Sequence, residues 1–186
     1  MGTVYLSPAL LTVCEWEVTR TFPLESGGVL MGTRVGDDVW HVDHIVGPGP
    51  RANHARYRFS PDLDYQTCEI AQQFHDTGGR STYLGDWHSH PGATHGRLSY
   101  KDQGVLKKIT NAPAAQCQVP LMMILWGQPD QWIPSLWHAR YLPSRFLPKR
   151  LKIGEGRLIM VEGFYTEFKA RGPSQQVLSA GMLPAN

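Results

Sequence analysis

No apolar run in this 186-residue chain is longer than the six residues Leu121 to Trp126. A membrane-spanning helix needs roughly 18–20 consecutive apolar residues, so the 41% apolar content has to be buried by assembling many short elements around one core. Glycine and proline, 19 and 14 residues, punctuate the chain throughout without repeating, which predicts tight turns between those elements. The length suits a single domain on a prior of ~100–200 residues. Lys and Arg number 18 against 16 Asp and Glu, with no block of one sign, a balance that argues against both a disordered chain and a nucleic-acid-binding surface. No basic segment precedes an apolar stretch at the N-terminus, and Leu6 stands where an N-myristoylation signal has Ser or Thr, so the chain reads as soluble and cytoplasmic. Cys14, Cys68 and Cys117 form no Cys-x-x-Cys pair; they read as small apolar residues in a reducing compartment.

Three helix starts are written locally. Ser7-Pro8 is a cap followed by proline at the first helical position, and Leu11, Cys14 and Val18 recur at helical spacing, predicting a helix over 8–20. Ser60-Pro61 repeats the signal, with Leu63, Thr67, Ile70, Ala71 and Phe74 on one face and Gly78-Gly79 as the stop, predicting a helix over 61–77. Ser99 opens a third, to about Thr110. Between them, Val29-Leu30-Met31 and the alternating Val39 to Val46 flank the turn chemistry of Gly36-Asp37-Asp38, a hairpin. Gly47 to Phe59 reads as a loop at the edge of a site, ending in the short run Tyr57-Arg58-Phe59. Ser81 to Trp87, Pro120 to Gly127, Ile133 to Tyr141 and residues 157–168 read as further strands or a late hairpin, and the last fifteen residues as a tail. Helices that interrupt runs of strands predict a mixed α/β (α+β) domain with a central sheet flanked by helices.

Chemistry concentrates in the run from His88 to Asp102. Two histidines at i and i+2, His88 and His90, point the same way at the end of a strand and can reach one metal ion. Asp102, on the first turn of the following helix, can return to the same point, giving two nitrogens and an oxygen with a fourth position open, the arrangement of catalytic zinc. Other readings stand beside this one. His-x-His on a strand also occurs as surface or core histidine, and Ser99-x-x-Asp102 is an acidic capping box. Glu25, ahead of Ser26-Gly27-Gly28-Val29-Leu30-Met31-Gly32, taken singly reads as a solvated loop carboxylate.

Together, Glu25, His88-x-His90-Pro91 and Ser99-x-x-Asp102 resemble the signature of the JAMM (MPN/JAB) metalloprotease family. The helix leading into Glu25-Ser-Gly-Gly-Val-Leu-Met-Gly, and Tyr83-Leu84-Gly85-Asp86-Trp87 ahead of the histidines, are similar to its bacterial JAB-domain branch, including the peptidases encoded with ubiquitin-like conjugation enzymes in antiphage operons and on mobile elements. One departure is visible: Pro91 to Leu98 encloses eight residues between His90 and Ser99, one more than the family's usual spacing. Because Ser99 and Asp102 keep their own spacing, the extra residue is expected to bulge out within Gly92 to Gly96. His95 in that loop reads as solvent-facing, with extra-ligand duty as the alternative.

The resemblance implies a JAMM/MPN-type domain over residues 1–142, and leaves 143–186 as an extension that adds a late strand or hairpin and a tail. It implies one zinc ion held by His88, His90 and Asp102, Glu25 as general base for the attacking water and Ser99 as the donor that stabilises the transition state. It further implies cleavage of the amide bond after the C-terminal tail of ubiquitin or a ubiquitin-like protein, with conjugation enzymes of the same operon as possible partners. The tail would add a strand to a sheet edge near the metal, beside Gly47 to Phe59, whose Arg51, Arg56 and Arg58 read either as steering an acidic partner or, equally, as a solvated and screened loop. Two non-enzymatic alternatives are a silent MPN-type scaffold and a structural zinc domain closed by His95.

Overall fold

The computed structural model describes residues 2–142 and 150–162. Its elements run β1 (Gly2–Leu6), α1 (Pro8–Thr21), β2 (Gly27–Gly36), β3 (Val39–Val46), β4 (Asn53–Ala55), β5 (Arg58–Ser60), α2 (Leu63–Asp76), β6 (Thr82–Pro91), α3 (Tyr100–Thr110), a 3-10 turn (Pro113–Ala115), β7 (Leu121–Gln128), β8 (Gln131–Tyr141) and β9 (Leu151–Met160). Seven strands form one mixed sheet in the order β1-β3-β2-β6-β7-β8-β9, and parallel pairing of β1 with β9 closes it. Among the described residues β4 and β5 pair only with each other. The expected mixed α/β class with a flanked central sheet holds.

The apolar pattern explains which faces β7 and β2 bury, but not α2, where Leu63, Thr67, Ala71 and Phe74 of the expected stripe are exposed and Tyr65, Gln66 and Ile70 turn inward. β7 is the unbroken apolar run because both of its faces are covered, the condition under which strands lose alternation. Leu121, Met123 and Leu125 join Leu10, Cys14 and Val18 of α1 in the main core, while Met122 and Ile124 pack with Leu106 of α3 on the other face. β2 divides likewise: Leu30 faces the α1 core, and Val29 and Met31 meet Tyr65 and Ile70 of α2. Each such fully buried side chain contributes about 1.5–3 kcal/mol. Among the described residues no helix is long and apolar enough to cross a membrane.

The local signals are borne out at α1 and α3, where Ser7 and Ser99 accept from Leu10 N–H and Asp102 N–H, and in the antiparallel β2–β3 hairpin. At α2 the expectation fails by two residues. Ser60 is spent in β5 opposite Asn53, and Asp62 caps the helix by accepting from Tyr65 N–H at 3.3 Å. Arg51 grips the same carboxylate through Nε and Nη2, both at 3.0 Å, and that hydrogen bonding holds Asp62 below the usual carboxylate range. Gly78 and Gly79, at φ 61° and 80°, end the helix as expected.

Four strands depart from the sequence reading. β1 was not foreseen, although Val4 and Leu6 alternate with Thr3 and Tyr5. Gly47 to Phe59 is not simply a loop but carries β4 and part of β5. The late strand, Leu151–Met160, begins six residues before the expected 157, and its Gly154 and Gly156 pass close beneath His138 and Leu136 of β8. Residues 163–168 and the expected tail lie outside the described residues.

Candidate metal centre and active site

Strand alternation brings the two imidazoles together. His88 and His90 leave one face of β6, Ser89 between them is buried on the other, and the two Nε2 atoms stand 3.1 Å apart. Helix capping delivers the carboxylate. Ser99 Oγ accepts from Asp102 N–H at 3.2 Å while Asp102 Oδ2 accepts from Ser99 N–H at 2.7 Å. With its carboxylate held this way, Asp102 places Oδ1 3.3 Å from His88 Nε2 and Oδ2 3.5 Å from His90 Nε2. The capping box and the carboxylate that faces both histidines are therefore one structure.

The spacing fits a metal ion. Ligand atoms of His88, His90 and Asp102 all lie within 4.8 Å of one another. Donors in a tetrahedron with bonds of ~2.0–2.2 Å sit about 3.3–3.6 Å apart, close to the 3.1, 3.3 and 3.5 Å separations here. Asp102 is only 5% exposed. Its burial opposes ionisation, but hydrogen bonds from His88 and His90, the positive charge of His88 and hydrogen bonding with Ser99 outweigh this and hold the carboxyl well below its ordinary range. His95 is exposed and outside the cluster, its Nδ1 accepting from Arg97 N–H at 3.4 Å.

Glu25 joins the site from the far side of the sequence. It lies between α1 and β2, half-buried, and burial pushes its carboxyl above the usual range, against the positive charge of His88, His90 and Lys101. Gly27 pairs with His88 and Gly28 with Trp87 across β2 and β6. A Cβ on Gly27 would come within 2.7 Å of His88 Cβ, and one on Gly28 within 2.8 Å of Trp87 Nε1, the donor to Val46 O. The glycine pair after Glu25 is thus what lets β2 lie tight against the histidine strand.

The longer loop does not bulge throughout. Gly92 N–H donates to Gly127 O at 2.6 Å, and Gly96 is buried, its carbonyl accepting from Trp137 Nε1 at 2.9 Å. A Cβ on Gly96 would collide with Ser135 Oγ and Trp126 Cδ1. Gly96 is packed because only a bare backbone fits under those two side chains, and the loop reaches Ser99 with the helix start undisturbed.

Sequence reasoning passed over several residues that build the site. Glu17, 7% exposed on the apolar face of α1, accepts from Ser26 Oγ at 2.9 Å and pairs with Arg20 at 2.7 Å. Ser26 N–H donates to Ser89 Oγ at 3.0 Å, and Ser89 N–H returns to Ser26 O at 2.8 Å. His54 Nδ1 lies 2.9 Å from Glu25 O. An acid three residues after Cys14 on a buried stripe was the one readable sign of this network. His54 carries no such sign in its neighbours.

The chain compares with known proteins as follows. Residues 14–138 match the family described as prokaryotic homologs of the JAB domain. A Sinorhizobium fredii protein named probable metalloprotease y4qB is 35% identical over 149 residues, covering 80% of this chain and 91% of that one. An Escherichia coli protein named CD-NTase/cGAS isopeptidase is 26% identical over 130 residues, covering 70% and 79%. The solution structure of a Desulfitobacterium hafniense protein superposes with a TM-score of 0.62 at 19% identity over 87% of this chain and 94% of that one, a likeness of fold. With the matched segment running from within α1 to within β8 and including both histidines and Asp102, the chain belongs to the prokaryotic JAB-domain family and is a JAMM-type peptidase.

Proposed function

We propose that this protein is a zinc-dependent peptidase or isopeptidase that hydrolyses the amide bond after the C-terminal tail of ubiquitin or a ubiquitin-like protein. The observation that carries the reading is the convergence of His88, His90 and Asp102 within 4.8 Å, beside the half-buried carboxyl of Glu25. Two imidazoles and a carboxylate are the donor set of a three-ligand zinc site with a position left for substrate. When bound there, zinc supplies Lewis acidity, lowering the pKa of water toward ~7 and polarising a carbonyl.

The chain's own residues do the rest. Glu25 takes a proton from the attacking water and hands it to the leaving amine. Ser99 Oγ already accepts from Asp102 N–H, which leaves the hydroxyl hydrogen to donate to the oxygen that gains charge. Replacing Ser99 by Ala is expected to lower kcat by ~10²–10³ and to cost about 1 kcal/mol of stability through the lost cap. Steady-state rates set beside urea melts check the two effects separately. A kcat loss no larger than the stability loss explains would remove Ser99 from the chemistry.

The β4–β5 hairpin, two strands that among the described residues pair only with each other, supports an extended tail as substrate, because a bare strand edge accepts another strand. Arg56 and Arg58 are exposed on it, whereas Arg51 is tied to Asp62 and Asp64 at 3.0 and 2.8 Å and serves the start of α2. The relative named an isopeptidase supports a bond that joins two proteins. We read residues 1–142 as the catalytic domain and 143–186 as its extension.

The test is incubation of the zinc-loaded protein with ubiquitin-like fusions extended at the C-terminus and with isopeptide-linked conjugates, the products being identified by mass. Cleavage after the terminal tail, abolished by a chelator and restored by zinc, is expected. Release of peptides at unrelated positions, with every tail bond left intact, would overturn the substrate class.

A further inference from the structure

We propose that His54 is a positioning residue for Glu25, through which the β4–β5 hairpin aligns the general base. The inference rests on the reading of Glu25 as that base. Glu25 lies where the chain has left α1 and not yet entered β2, so no helix or strand ladder fixes its backbone. Both of its main-chain polar groups are instead taken by β4: Glu25 N–H donates to Ala55 O at 2.9 Å, and His54 Nδ1 lies 2.9 Å from Glu25 O. A carbonyl only accepts, so the hydrogen sits on Nδ1 and His54 is the donor.

The donor is itself held. The His54 ring lies 5.5 Å from that of Phe59, its cross-strand partner, at an interplanar angle of 36°. On the next residue, Ser26 exchanges hydrogen bonds with Ser89, which stands between the two histidines of β6. Glu25 is therefore pinned on one side by the hairpin and on the other by the histidine strand, and only its side-chain torsions remain free. Misplacing a reacting group by 1 Å can cost ~10²-fold in rate, so a lost tie at this point reaches the chemistry without touching a metal ligand.

Two substitutions separate the donor from the ring. His54→Phe keeps an aromatic ring against Phe59 and removes the N–H; His54→Asn keeps an N–H near the place of Nδ1 and removes the ring. The first measurement is amide hydrogen exchange at Glu25 by NMR, with zinc content determined alongside. His54→Phe is expected to speed exchange at Glu25 about five- to tenfold with zinc content unchanged, and His54→Asn to return it most of the way to the wild-type rate. The second is turnover of ubiquitin carrying a fluorogenic amide at its C-terminus, where kcat is expected to fall ~10-fold or more in His54→Phe, with KM little changed, and to recover in His54→Asn.

Wild-type kcat in His54→Phe overturns the proposal whatever the exchange rate, because Glu25 N–H is held by Ala55 O and reports His54 only through the placing of the segment. So does an Asn variant that loses protection as fully as the Phe variant, since the ring and not the donor would then be what matters. If His54→Phe does not fold, the Asn variant alone decides, protection at Glu25 supporting the proposal and its loss overturning it. Glu25→Gln assayed in parallel keeps the two readings apart: full turnover in that variant removes Glu25 as the base, while the exchange rates still report whether His54 holds residue 25.

Discussion

Glu25→Gln is expected to leave one zinc bound per chain and to lower hydrolysis by ~10²–10⁴, the usual range for losing general acid–base function. Glutamine has nearly the same shape and can be seated by the same main-chain bonds to Ala55 and His54, so fold and metal should survive. What it cannot do is accept a proton from water. The sign of the pH dependence follows from the half-buried wild-type carboxyl, whose protonation range burial shifts upward. The working form is the ionised one, so the wild-type rate should fall as acidification protonates Glu25. Zinc content by elemental analysis, with initial rates on a C-terminally extended ubiquitin-like fusion, checks both halves. A Gln variant with unimpaired turnover would assign the proton transfers to another group.

The second large effect is on the metal itself. His88→Ala and Asp102→Ala are each expected to take zinc from about one per chain to near zero, because two remaining donors make an incomplete site. Zinc in 1,000-fold excess over its dissociation constant stabilises a folded protein by about 4 kcal/mol, so added zinc should raise the melting temperature of the wild type and leave both variants unmoved. The two differ in a second respect. His88→Ala removes a ligand alone, whereas Asp102→Ala also leaves Ser99 N–H without the acceptor it has at 2.7 Å, a capping loss of ~1 kcal/mol. Asp102→Ala should therefore melt lower than His88→Ala even without metal. Zinc retained at full stoichiometry in either variant would move the binding site elsewhere.

Much of the site was legible because its parts are local. Two residues at i and i+2 on a strand must share a face, and a capping box places Asp102 relative to Ser99 whatever surrounds it; both needed only a few neighbouring residues to be read. The same holds for the Ser7 cap and the β2–β3 turn. The failures have the opposite character. Ser60 and Asp62 are both good caps, and the choice between them was made by Asn53, which draws Ser60 into β5, and by Arg51, which holds Asp62. The extra residue between His90 and Ser99 was countable in the sequence, but that Gly96 turns inward depends on Trp126, Ser135 and Trp137.

What the sequence by itself determined is the chemistry: the donor types, their short-range geometry and the helix and hairpin starts, all encoded within a few residues of one another. Tertiary structure decided the assembly. Parallel pairing of β1 with β9 closes the sheet, and the meeting of Glu25 with His88, His54 with Glu25 O, and Ser26 with Ser89 joins segments that are tens of residues apart. No local pattern specifies such contacts. They follow from which faces must be buried together and from where a backbone without side chains, as at Gly27, Gly28 and Gly96, allows two segments to approach.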